Sequence, residues 1–193
     1  MPVVPATAST LDGYGRLIDD PAACPIEIVR WPAQGTRPVD DDTGDHGGTT
    51  EGVFVSEWHG DILYGRNEAV SGHYVLAYAT ATEAARTDHA TAPRRCCGMR
   101  TIIPTAASCS FRSTTGLLRP LALPGDDVTP QRFVCFRFDG TRGLYIHPNI
   151  WHEGVFGLCG TQRFFDKQGA VHARVSVDFA REFSCLLEAA INA

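Results

Sequence analysis

Eight consecutive residues, Tyr145-Ile146-His147-Pro148-Asn149-Ile150-Trp151-His152, gather the side chains best suited to chemistry. Imidazole exchanges protons near neutral pH and also ligates metals, so His147 and His152 are candidates for general acid–base work or for holding a divalent cation. They stand five positions apart across Pro148, whose ring fixes φ and stiffens the turn between them. That spacing lets the two rings converge on one site or point to opposite faces. A histidine beside a tryptophan is also a common packing arrangement, and Trp151 and Phe156 read as wall or core before they read as chemistry. Further on, Val171 to Phe179 alternates, which puts Arg174 and Asp178 on one strand face, where they can orient a ligand or pair with each other at the surface.

The elements that must position these groups are short strands. Leu117–Leu123 is apolar and is followed by a Pro124-Gly125-Asp126-Asp127 turn. Phe133–Phe138 reads as a buried strand closed by Asp139-Gly140, and Gly143–His147 as the next one. Earlier strands are expected at Ile26–Trp31, Gly52–Trp58 and Tyr74–Tyr78. Gln34–Gly52, with the Asp40-Asp41-Asp42 run, reads as a long surface loop, residues 1–24 as a loosely organised lead-in with a Tyr14-Gly15 turn, and Thr82–Asp88 as a helical turn or loop. Only Ala180–Ala190 hints at a helix. The pattern predicts an all-β domain with minor helix, a sandwich or barrel spanning residues 1–193.

Composition narrows the function classes. A chain of 193 residues with 44% hydrophobic content fits one folded domain. Its 22 acidic residues against 17 basic ones leave a net charge of −5, and no Lys/Arg run offers a nucleic-acid surface. No apolar run approaches the ~20 residues of a membrane helix. Met1–Thr10 lacks the basic start and apolar core of a signal peptide, so a cytoplasmic location is the default expectation. Seven cysteines, an odd number without a CxxC pair, read as free thiols in a reducing compartment. Nothing points to a redox cofactor.

With Phe156, the pattern Tyr145-x-His147-x-Asn149-x-Trp151-His152 resembles the C-terminal half of the ureidoglycolate lyase family, and Arg174-Val175-Ser176-Val177-Asp178 resembles that family's next strand. The Tyr14-Gly15 turn matches a short N-terminal element. The resemblance covers roughly residues 117–183. It implies a cupin-like jelly-roll barrel, a homodimer, and cleavage of ureidoglycolate to glyoxylate and urea in purine (allantoin) breakdown. Such a hemiaminal needs a base for its hydroxyl proton, help for the departing urea and a counter-charge for its carboxylate. His152 is the candidate base, His147 its partner, and Tyr145 a donor to the urea. Arg174, Asp178 and Trp151 would contact a small carboxylate substrate, and a divalent metal would be held by His147 and His152. The rival readings are another cupin-type lyase or isomerase on a hydroxy-carboxylate, and a non-catalytic cupin-like binding protein.

One segment departs from this frame. Residues 95–116 hold three of the seven cysteines and lack strand alternation. The family resemblance implies a second motif there, His-Pro-x-Gly-x-Gln-x-Phe-x-Pro, which is absent as written. Back-translating Cys96–Arg112 with GC-rich codons and reading two nucleotides further along gives LWHADYHPDGGQLFFP, which contains it. A pair of compensating frameshifts in the coding DNA accounts for this; a divergent strand is the alternative.

Overall fold

The computed structural model describes residues 1–20, 23–28, 37–40, 45–69, 71–79, 94–97, 101–103, 108–110, 116–171 and 175–190. Along the chain the strands among them begin with β1 (Val3–Pro5), β2 (Gly15–Ile18), β3 (Asp45–His59), β4 (Ile62–Asn67), β5 (Gly72–Tyr78), β6 (Arg94–Cys97), β7 (Thr101–Ile103) and β8 (Ser108–Ser110). They continue with β9 (Leu117–Ala122), β10 (Val134–Phe138), β11 (Gly143–Ile146), β12 (Trp151–His152), β13 (Phe156–Gly157), β14 (Thr161–Val171), β15 (Val175–Val177) and β16 (Leu187–Ala190). One helix, α1 (Phe179–Phe183), lies between the last two. The all-β expectation with minor helix holds.

These strands form two sheets. One runs β1-β10-β9-β12-β7-β15, with β13 also on β9; the other runs β16-β6-β5-β4-β3-β14-β8-β11-β2. The apolar run Leu117–Ala122 is buried along its whole length, as expected of a central strand with both faces covered. Its partner β10 pairs antiparallel with Phe136 opposite Arg119. In the larger sheet, Phe54 and Phe164 are register partners and stack with ring centres 4.7 Å apart. Together with Leu63, Leu76, Leu118, Leu121, Ile146 and Trp151 they belong to one continuous apolar core. No helix among the described residues is long and apolar enough to cross a membrane.

Several local expectations are corrected. The lead-in is integral to both sheets: β1 pairs in parallel with β10, and β2 pairs with β11. Asp45–Gly52 is strand rather than loop, because Thr49, Thr50 and Glu51 find ladder partners in Gly169, Gln168 and Lys167; pairing overrides their weak intrinsic preference. Ile26 and Glu27 are not in a strand and Ile28 makes a lone bridge, while residues 29–32 lie outside the described residues, as do 82–88. The supposed strand from Val171 to Phe179 is in fact the end of β14, the separate β15 and the start of α1. The helical hint over Ala180–Ala190 resolves into the five-residue α1 followed by β16. The anomalous segment contributes backbone to both sheets, as β6 and β8 in one and β7 in the other; residues 98–100, 104–107 and 111–115 are outside the described residues. Cys24, Cys135, Cys159 and Cys185 are free thiols.

Candidate active site

The Tyr145–His152 stretch is a corner at which the chain leaves one sheet and enters the other. Its strand β11 belongs to the larger sheet and β12 to the smaller. Between them His147-Pro148-Asn149-Ile150 forms a turn closed by the Ile150 N–H donating to the His147 carbonyl at 3.5 Å. Asn149 occupies the left-handed region at φ 65°, the conformation that a type II turn, which accepts proline in its second position, requires of its third. The His147 N–H donates to the Tyr14 carbonyl at 3.0 Å, fastening the corner to the N-terminal turn.

Because it changes sheets, the corner separates the candidate residues. Leu144 and Ile146 join the main core, whereas Tyr145 faces the other way into a small separate cluster with Ile18 and Cys24. The His147 ring meets the Tyr145 ring edge-on at 5.7 Å, and the Arg16 guanidinium lies 4.7 Å from the centre of the same tyrosine. Trp151 and His152 then point to opposite faces of the smaller sheet. Trp151 is fully buried; its indole N–H donates to the Gly125 carbonyl at 2.9 Å, and the Arg37 guanidinium stands 5.8 Å from its ring centre.

His152 is the register partner of Leu121 on β9 and of Ile102 on β7. On the next ladder step after His152 the pairing slips: between the pairs His152–Leu121 and Phe156–Leu118, residues 153–155 face only residues 119–120. One extra residue on one side is the count of a β-bulge, a device that re-aims side chains. Here His152 and its neighbour Glu153 are both buried, as is Arg119, which shares a face of β9 with Leu121.

The His152 Nδ1 lies 2.8 Å from the Ile150 carbonyl oxygen. A carbonyl only accepts, so Nδ1 carries the proton and the neutral ring presents a lone pair at Nε2. Burial, with the positive charge of Arg119 as a second cause, pushes the imidazole down from 6.5 to about 3, against the opposing pull of the Ile150 carbonyl. Burial also pushes the Glu153 carboxyl up from 4.5 to about 8, although the Gly154 N–H at 2.8 Å and the charge of Arg119 both favour its ionised form. Near pH 7 the two neighbours are therefore an unprotonated imidazole and a protonated acid.

Arg174 lies outside the described residues. Asp178 is not on a strand face; it caps α1, its Oδ1 accepting the Arg181 N–H at 3.0 Å while its own N–H donates to Glu182 Oε1 at 3.0 Å. Among the described residues no group of three or more His, Cys, Asp or Glu stands close enough to hold a metal ion. Residue type and spacing do not single out Arg119 and Glu153; their signal in the sequence is a charge inside the apolar run Leu117–Leu123 and an acid immediately after His152. No protein-family model matches the chain, and no curated protein matches it.

Proposed function

We propose that this chain is a carbon–nitrogen lyase on a cupin-like barrel, cleaving ureidoglycolate into glyoxylate and urea. The observation that carries the reading is the neutral His152, whose Nδ1–H is committed to the Ile150 carbonyl so that Nε2 is left as the base. In this reading Nε2 takes the proton of the substrate hydroxyl. The C–O bond becomes a carbonyl, the C–N bond breaks, and the departing urea nitrogen takes a proton from Glu153, leaving glyoxylate and urea. Glu153 replaces Tyr145 as the proton donor, since Tyr145 packs in a separate cluster. Arg119 provides the counter-charge for the substrate carboxylate; a guanidinium has five N–H donors and can take a carboxylate alongside other partners. That carboxylate also offsets the Arg119 charge, the lesser of the two causes that depress His152 after burial.

The anomalous segment flanks this site directly, since Ile102 of β7 pairs with His152. Resequencing the coding DNA decides whether that segment is as written. For function, release of urea and glyoxylate from ureidoglycolate is measured with and without a chelator. Turnover that falls by a factor of ~100 or more in His152→Ala supports the assignment. A variant as active as its parent sinks it, and binding without turnover favours the non-catalytic reading. The homodimer is tested by sedimentation of the same sample.

A further inference from the structure

We propose that Arg37 is a positioning residue for His152, acting through Trp151 and the turn that follows β9; this rests on the reading of His152 as the base. Strand β12 is two residues long and is held by two register pairs to β9 and one to β7. So short a strand has little ladder of its own, and its placement depends on what grips its side chains. Trp151 donates to the Gly125 carbonyl at 2.9 Å, and the adjacent carbonyl, Asp126, accepts the Arg37 Nε–H at 3.0 Å. The same guanidinium stands over the Trp151 ring at 5.8 Å, within cation–π range.

The other end of the guanidinium reaches across the sheet. Its terminal nitrogens take the two Glu182 carboxylate oxygens at 3.2 and 2.8 Å, and one of them donates to the Ser176 carbonyl at 3.4 Å. Ser176 lies on β15, the neighbour of β7, and its hydroxyl donates to Asp40 Oδ2 at 2.6 Å, a second tie from the same segment. Arg37 thus spans the strip β9-β12-β7-β15 from the turn after β9 to β15, with Trp151 beneath it. Trp151 and His152 leave the backbone in opposite directions, so a change in the seat of one ring tilts the other. A lysine, with a single compact ammonium, cannot reproduce this fork.

The test uses full-length protein with isotope-labelled histidine rings, and the His152 signal is identified by its loss in His152→Ala. Arg37→Lys and Arg37→Ala are expected to move that signal and to lower kcat roughly tenfold or more, with KM little changed. Arg142→Ala, which breaks a surface pair with Asp19, serves as the control and leaves both unchanged. Glu182→Gln, which weakens the same fork, gives a smaller shift in the same direction and stands in if the Arg37 variants do not fold. A His152 signal in Arg37→Lys that superposes on the parent's overturns the proposal, whatever happens to melting temperature. A parent protein inactive on ureidoglycolate would instead sink the lyase reading, while the ring signal still decides the role of Arg37.

Discussion

His152 and Glu153 are consecutive in the chain, and the same burial drives their proton affinities in opposite directions, the imidazole down to about 3 and the carboxyl up to about 8. Stability should therefore have a plateau with two unlike slopes. Between pH 6.5 and about 3 the unfolded chain binds the His152 proton and the folded one does not, so stability is lost as pH falls through that window. Between 4.5 and about 8 the folded chain holds the Glu153 proton and the unfolded one does not, so stability is lost as pH rises. The two effects offset each other between 4.5 and 6.5. Above 6.5 only Glu153 acts, with a limiting slope of about 1.4 kcal/mol per pH unit. Urea unfolding at a series of pH values should show Glu153→Gln flattening the alkaline slope and His152→Gln the acid one.

Glu153→Gln also separates stability from chemistry. The amide keeps the shape of a protonated carboxyl and its carbonyl can still accept the Gly154 N–H, but it cannot deliver a proton. At pH 7 the variant should fold at least as well as the parent and lose on the order of a hundredfold in turnover. Full activity with the amide would remove Glu153 from the reaction.

How much of this was legible beforehand depends on whether a feature is local. The strand at Val134–Phe138 was readable because its apolar run and the Asp139-Gly140 turn are both contiguous. The first half of β3 was not, because Thr49, Thr50 and Glu51 become strand only by meeting Gly169, Gln168 and Lys167 more than a hundred residues away. The same holds at the site. His152 could be singled out by residue type, but no spacing rule revealed that the chain changes sheets after His147 and so parts it from His152. Likewise Arg119 looked like an interruption of an apolar strand until the pairing brought it onto the face of Leu121, the partner of His152.

The buried pair Asn67–Asp166 links β4 to β14 across the intervening β3, with Asn67 Nδ2 donating to Asp166 Oδ2 at 2.9 Å and Asn67 Oδ1 accepting the Ala69 N–H at 2.9 Å. Removing the amide takes a donor from a buried carboxylate and an acceptor from a turn. Asn67→Ala is expected to cost about 1–3 kcal/mol in denaturant unfolding. A change within ~0.5 kcal/mol, the range of an ordinary surface substitution, would show that water replaces the amide without loss.

Asn149 combines a left-handed backbone at φ 65° with a side-chain oxygen that is buried and has no hydrogen-bond partner among the described residues. Glycine relieves both costs at once, so Asn149→Gly should raise stability by a few tenths of a kcal/mol, toward ~1. Asn149→Ala also removes the unpaired oxygen but loses asparagine's tolerance of the left-handed region, since its Cβ meets the following carbonyl without a compensating local hydrogen bond, and should fall below Asn149→Gly by ~1 kcal/mol. Thermal unfolding of the two variants side by side checks the order.

Gly154 lies in the bulge beside Glu153, where a Cβ would stand 2.3 Å from Leu76 Cδ2 and 3.5 Å from Phe54 Cζ. Leu76 is itself fully buried, so its methyl has little room to withdraw. Gly154→Ala must therefore push the bulge away from the larger sheet, at a cost of about 1–3 kcal/mol. The displaced backbone carries the N–H that Glu153 accepts, so the carboxyl loses its anchor as well. The expected result is lower stability together with a fall in turnover out of proportion to it at temperatures where the variant is fully folded. Pairing Gly154→Ala with Leu76→Ala makes room for the methyl group and should restore part of the lost turnover even though the double variant gives up the packing of the leucine. If Leu76→Ala leaves the turnover of Gly154→Ala where it was, the bulge does not set the position of Glu153.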